Sequence, residues 1–124
     1  MNSRYLCRAK RIDTREWVYG YLMQQPYGMV ICYKQKEIKD NKEKFITVVV
    51  DPETICQCTG CEGIFENDIF DDRDGYRYIV EWCEYDLAFE AAAVFTSELI
   101  GLGEFSKDEI NIIGNIFDNP ELLD

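Results

Sequence analysis

Residues 17–33 read WVYGYLM-QQPYG-MVICY, and their patterning decides the fold class. Two runs rich in aromatic and β-branched side chains, Trp17–Met23 and Met29–Tyr33, flank Gln24-Gln25-Pro26-Tyr27-Gly28. Such side chains suit a pleated strand. Pro presets one φ angle and Gly takes up the next, so the stretch predicts a strand, a tight turn and a second strand. Downstream, Lys34–Lys44 (KQKEIKDNKEK) is almost devoid of apolar residues and predicts an exposed excursion or long hairpin loop. Phe45–Val50 (FITVVV) predicts another strand, stopped by Asp51-Pro52.

The second half repeats the pattern. After a turn containing Cys and Gly, Ile64–Phe70 predicts a strand and Asp71-Asp72-Arg73-Asp74-Gly75 a turn. Tyr76–Glu84 predicts a strand with Tyr76, Tyr78, Val80 and Trp82 on one face and Arg77 and Glu81 on the other. Leu87–Phe95 (LAFEAAAVF) is ambiguous, because its alanines favour helix while its length and neighbours favour strand. Thr96-Ser97-Glu98-Leu99 reads as a cap for one or two helical turns. Ile110–Phe117 predicts the last strand, closed by Asn119-Pro120. Strands with turns every 8–12 residues or so predict an all-β chain with minor helix, as a barrel or sandwich.

The chain of 124 residues suits one domain, and charge marks the only lobe boundary. Residues 1–50 carry ten Lys and Arg against five Asp and Glu, net +5; residues 51–124 carry three against nineteen, net −16. A basic N-terminal β lobe (1–50) and an acidic C-terminal lobe (51–124) are therefore expected. The total of −11 repels free nucleic acid at long range. The sign split suggests instead that basic and acidic faces meet, within the chain or between subunits. No histidine is present, which excludes Ser-His-Asp triads, Cys-His pairs and HExxH zinc sites. Arg4, Arg8, Lys10 and Arg11 break any leader-like apolar run, and Trp17–Tyr33 is too polar to span a bilayer. A cytoplasmic chain with reduced cysteines is expected.

Cys56-x-Cys58-x-x-Cys61 is the most suggestive cluster for metal or redox chemistry. Zinc wants four ligands, though, and Cys7, Cys32 and Cys83 are scattered. Free, partly buried thiols are the expectation, with no metal and no cofactor. Asp72, Asp74, Gly75 and Glu81 match part of a calcium loop, but its first position is Phe70, so a hairpin turn is expected. Glu66/Asp68 and Glu81/Glu84 could mimic a catalytic carboxylate pair, yet so many acids predict a solvated face. Arg4-x3-Arg8-x-Lys10-Arg11, with Tyr5 and Trp17 nearby, is the best candidate for phosphate contact. A strand edge guarded by charge is the plainer reading, and a basic strip binding an acidic partner surface is a third.

Four ordered segments resemble the YopX-like family, small proteins carried by phages and prophages of bacteria. They are Cys7–Asp13 with Glu16–Leu22; Val50-Asp51-Pro52-Glu53-Thr54-Ile55 with Gln57, Thr59-Gly60 and Ile64–Ile69; Ile79-Val80-Glu81-Trp82; and Ile113–Leu123 (IGNIFDNPELL). Cys56, Cys58 and Cys61 stand at Gly-, Tyr- and Leu-like positions of the family, and the turn that follows is shortened to Glu62-Gly63. Asn67 replaces the usual Gly of Glu-Gly-Asp, and Asn tolerates positive φ best after Gly. The resemblance implies a β-rich fold. Within it, Glu66–Ile69 followed by Ile79–Trp82 is similar to the first strands of an SH3-like barrel in the C-terminal lobe. It implies no activity and no catalytic residue.

The expected function is therefore that of a non-enzymatic phage accessory protein acting by protein–protein contact, as a homo-oligomer or with a host or phage protein. Seventeen aromatics and the charge split motivate it, with Arg8, Lys10, Arg11, Tyr5, Trp17, Tyr19 and Tyr21 as candidate partner-binding residues. The alternatives are nucleic-acid association through the basic strip and imitation of DNA by the acidic half.

Overall fold

The computed structural model describes residues 5–61, 63–96 and 98–124; Arg4, Glu62 and Ser97, singled out above, lie outside them. Two five-stranded antiparallel sheets hold nearly all the regular structure. Among the described residues, helix is limited to 3₁₀ turns, including Pro52–Thr54, Leu102–Glu104, Lys107–Glu109 and Pro120–Leu123. Neither sheet is closed. The chain divides into two compact units, Met1–Glu62 and Gly63–Asp124. Recounted on that division, the first unit has ten bases and eight acids, net +2, and the second three bases and sixteen acids, net −13.

In the first unit, β1 (Cys7–Lys10), β2 (Trp17–Gln25), β3 (Gly28–Lys36) and β4 (Glu43–Val49) form a meander, and β5 (Cys56–Gln57) returns to the far side of β1. The β2–β3 turn falls where Pro26 and Gly28 (φ 140°) predict it. The charged stretch after Tyr33 is part ladder and part loop, with residues 37–42 forming the expected hairpin loop. Pairing continues to Lys36 opposite Glu43, because Lys34, Lys36 and Lys44 extend into water without leaving the strands. Alternation sends Ala9, Val18 and Ile31 to one face, where with Val50 they form the core. Leu22, Met29, Tyr33 and Ile55 pack against it.

Between Val50 and β5 the chain runs along the free edge of β1 and supplies hydrogen bonds that no strand provides. Val50 bridges Arg11, and the Asp51 N–H donates to the Lys10 carbonyl at 2.8 Å. Pro52–Thr54 then turns once, capped by Asp51, whose side chain accepts the Glu53 N–H at 3.0 Å. The buried Thr54 hydroxyl accepts the Lys10 N–H at 2.8 Å and donates to the Asp51 carbonyl at 2.7 Å.

In the second unit, β6 (Asp68–Asp71), β7 (Arg77–Cys83), β8 (Ala88–Ala93) and β9 (Leu99–Gly101) form a second meander, and β10 (Asn111–Asn115) pairs with β6. Residues 64–67, expected as strand, turn before β6, with Asn67 at φ 72°. Asp72 organises the next turn: its side chain accepts the Asp74 and Tyr76 N–H groups, both at 2.9 Å, and Gly75 takes φ 86°. Within Leu87–Phe95, Ala88–Ala93 resolves as strand β8, since Val80–Ala91 and Tyr78–Ala93 pairing outweighs alanine's helical preference. Among the described residues of Thr96–Leu99 no helical turn forms; Leu99 opens β9, and a 3₁₀ turn follows at Leu102. Tyr78 and Val80 are buried as expected of their face, while Tyr76 and Trp82 are exposed. Phe70 stacks on Tyr78 (centroids 5.2 Å), and Phe105 meets both edge-on at 5.4 Å.

Beyond β10, Asn115 and Asn119 tie the chain into a tight turn. The Asn115 side-chain oxygen accepts the Phe117 and Asp118 N–H groups at 3.0 and 2.9 Å, and Asn119 Oδ1 accepts the Asn115 N–H at 3.2 Å. Asn119 lies so close that a Cβ on Gly114 would sit 2.4 Å from its Oδ1.

Candidate functional site

Residues directly opposite one another in an antiparallel pair project from the same face. The β1–β2 register sets Arg8 against Tyr19 and Lys10 against Trp17. The Arg8 guanidinium lies 4.7 Å from the Trp17 ring centroid and the Lys10 ammonium 5.4 Å from it, so the indole is flanked by two cations. Arg8 is only 6% exposed. The same alternation carries this face to Tyr21 and Met23 on β2, then through Tyr21–Cys32 and Met23–Val30 onto β3. Lys34–Phe45 and Val30–Val49 extend it to β4. Lys34 Nζ sits 5.5 Å from the Phe45 ring centroid and 3.8 Å from Glu43.

This face is opposite the core face of the sheet, and much of it is uncovered: Tyr19 is 46% exposed and Phe45 71%, with Tyr21, Met23 and Val49 also exposed. The structure thus brings Arg8, Lys10, Trp17, Tyr19 and Tyr21 onto one surface. Arg11 is not on it. Alternation from Lys10 turns Arg11 to the other side, where it holds Asp13 through two hydrogen bonds of 2.9 Å. That guanidinium keeps the Asp13 carboxyl down at about 2. Tyr5 precedes β1 and is exposed. Met23, Lys34, Phe45 and Val49 join the face through the β2–β3–β4 register, which composition alone does not reveal.

All six cysteines are free thiols. Cys56 and Cys58 are buried and donate to the Thr54 carbonyl at 3.3 Å and the Cys61 carbonyl at 3.6 Å. Of the acidic pairs, Asp68 accepts the Phe65 N–H at 2.8 Å and braces a turn. Among the described residues, one other group of ligating side chains converges: Cys83, Asp86 and Glu90. Hydrogen bonding to Asp86, together with burial, holds the Glu90 carboxyl above the usual carboxylate range.

A family model described as YopX protein matches residues 7–124, spanning both units. The chain belongs to the YopX family. No curated protein matches it. The segments that carry the YopX resemblance have visible structural work. Val50–Thr54 completes the edge of β1, Asn67 makes a positive-φ turn, and Gly114, Asn115 and Asn119 form the turn after β10. Among the described residues, no helix is long and apolar enough to cross a membrane.

Proposed function

We propose that this YopX-family chain is a non-enzymatic phage accessory protein of the bacterial cytoplasm. It works by protein–protein contact through the cation-flanked aromatic face of the 1–62 sheet. One observation carries the reading: Tyr19, Tyr21, Met23 and Phe45 are all exposed on a single sheet face, beside Lys34. Contiguous exposed apolar surface rimmed by polar groups marks interaction sites, and Tyr, Trp and Arg dominate the energetics of interfaces. The complementary partner is an acidic surface. The −13 unit of a second copy offers one, which makes a homo-oligomer the first assembly to test. Free thiols support a reducing compartment. An SH3-like relationship for residues 63–124 belongs to the same reading, supported by its five-stranded antiparallel order.

Sedimentation equilibrium at low and high salt tests it. Self-association that Tyr19→Ala or Phe45→Ala weakens by about tenfold or more, the range of a hot-spot residue, supports the reading; Lys34→Glu then acts chiefly at low salt. A strict monomer at every concentration and salt removes the oligomer. A second reading, single-stranded nucleic acid stacking on Tyr19 and Phe45, is favoured by Lys34 beside the Phe45 ring. Absence of binding to single-stranded DNA or RNA at roughly 50 mM salt discards it.

A further inference from the structure

The β7–β8 hairpin gathers side chains of a different chemistry. Cys83 ends β7, Asp86 lies in the turn, and Glu90 sits in β8. One Sγ and two carboxylate oxygens lie within 4.8 Å of one another, with Cys83 Sγ 3.8 Å from Asp86 Oδ2. Register places Glu81 directly across from Glu90, and alternation puts Glu81 and Cys83 on the same face of β7. Opposite Glu90 on β9 is Gly101, which contributes no side chain. Cys83, Glu90 and Glu81 border a cleft of about 260 Å³ whose other residues, Trp82, Glu84, Tyr85 and Leu99, include no cation.

The decisive feature is Glu90. It is only 7% exposed, and the groups that act on its carboxyl are Asp86, Cys83 and Glu81, all acidic or thiol. The hydrogen bonds of that carboxyl run to Asp86 and Cys83, within the trio itself. A buried carboxylate is expensive unless it is paired, protonated or bound to a metal. Asp86 and Cys83 are themselves would-be ligands, so they offer it no counter-charge.

We propose that Cys83, Asp86 and Glu90 form a zinc-binding site, with the fourth position open to water from the cleft or to Glu81. Tetrahedral zinc has Zn–S of about 2.3 Å and Zn–O of about 2.0–2.2 Å, which sets neighbouring S and O ligands about 3.6 Å apart and two oxygens about 3.4 Å apart. The Cys83–Asp86 separation of 3.8 Å needs to close by only a few tenths of an ångström. A thiolate beside two carboxylates favours zinc over calcium or magnesium, which take oxygen ligands only. Binding releases the thiol proton and any proton on Glu90. The site is independent of the aromatic face on the other unit.

The test uses the reduced full-length chain, titrated with Zn²⁺ against a chromophoric chelator and with Co²⁺ followed by absorption. One equivalent of zinc is expected, unaffected by excess Mg²⁺, and Co²⁺ should show a thiolate-to-metal charge-transfer band. Cys83→Ser should abolish that band, whereas Cys61→Ser, which alters a thiol outside the trio, should keep it. Loss of even an outer-shell partner weakens metal sites about 10–100-fold, so Glu90→Gln should weaken zinc binding at least about tenfold. Circular dichroism of each variant confirms that it folds. Absence of a charge-transfer band, survival of the band in Cys83→Ser, or displacement of zinc by Mg²⁺ overturns the site.

Discussion

Thr54→Val keeps the shape of a buried side chain and deletes one oxygen, so it isolates the hydrogen bonding at the edge of β1. The hydroxyl accepts the Lys10 N–H at 2.8 Å and donates to the Asp51 carbonyl at 2.7 Å. The Asp51 carbonyl keeps a second donor, the Thr54 N–H at 3.0 Å, so it tolerates the change. The Lys10 N–H loses the acceptor that Thr54 provides. Stripping the acceptor from a buried donor costs about 1–3 kcal/mol, and the donated bond adds about 1 kcal/mol. We expect a loss of about 2–4 kcal/mol, a drop of roughly 10–30 °C in melting temperature for a unit of this size. Urea denaturation followed by tryptophan fluorescence reads each unit in a single-tryptophan variant: Trp17, which faces Lys10 across β1 and β2, reports the first unit and Trp82 the second. Thr54→Ser is the control. It keeps the hydroxyl and loses a buried methyl, worth about 1 kcal/mol. A Val variant within about 0.5 kcal/mol of wild type, ordinary for a neutral substitution, or a Ser variant worse than Val, refutes the account.

Gly20→Ala should destabilise by about 3 kcal/mol in the same assay, because its Cβ would sit 2.4 Å from the Cys32 carbonyl oxygen and backbone must move. Gly114→Ala should cost less, about 1–2 kcal/mol, because the obstructing Asn119 side chain can rotate away at the expense of its hydrogen bond to the Asn115 N–H; equal losses at the two glycines contradict this ordering. In an NMR titration the Asp13 carboxyl should titrate at about 2, and Arg11→Gln should raise it toward the ordinary value. Its folded pKa is depressed, so the stability it lends is present above the unfolded value near 4 and disappears as pH falls toward 2; the gap between wild type and Asp13→Asn should close over that window.

Much of the strand content is legible from local pattern. Trp17–Met23, Phe45–Val50 and Tyr76–Glu84 carry β-branched and aromatic alternation, and each lies within two residues of an observed strand boundary. The positive-φ positions Asn67 and Gly75 are legible for a different reason, since few side chains tolerate that backbone. What escapes local reading depends on partners. Cys7–Lys10 carries two cations in four residues and reads as a charged edge, yet β2 and β5 flank it and Trp17 covers its cations. β5 and β9 are too short for any period to register. Arg11 looks equivalent to Lys10 in sequence, but a single residue of alternation sends it to the opposite side. Cys83, Asp86 and Glu90 meet through a four-residue turn with Leu87 at φ 51°, which hydrophobic patterning does not encode.

Both sheets share a construction whose consequence is temporal. In each, the middle strands follow one another through short connections, while the last strand reaches back to the first: Gln57 to Cys7 and Asn115 to Asp68. Local hairpins form in microseconds, whereas pairing across some fifty residues waits on loop closure. On the ribosome the two sheets are treated unequally. The first has every strand once residue 57 is free, but β6 waits for β10 until residue 115 is free. During that interval Ile69 and Phe70 lie along an open edge, a template for pairing with the wrong chain. Asp68 and Asp71 bracket those two residues, and charged groups at such an edge deter foreign strands until its own arrives.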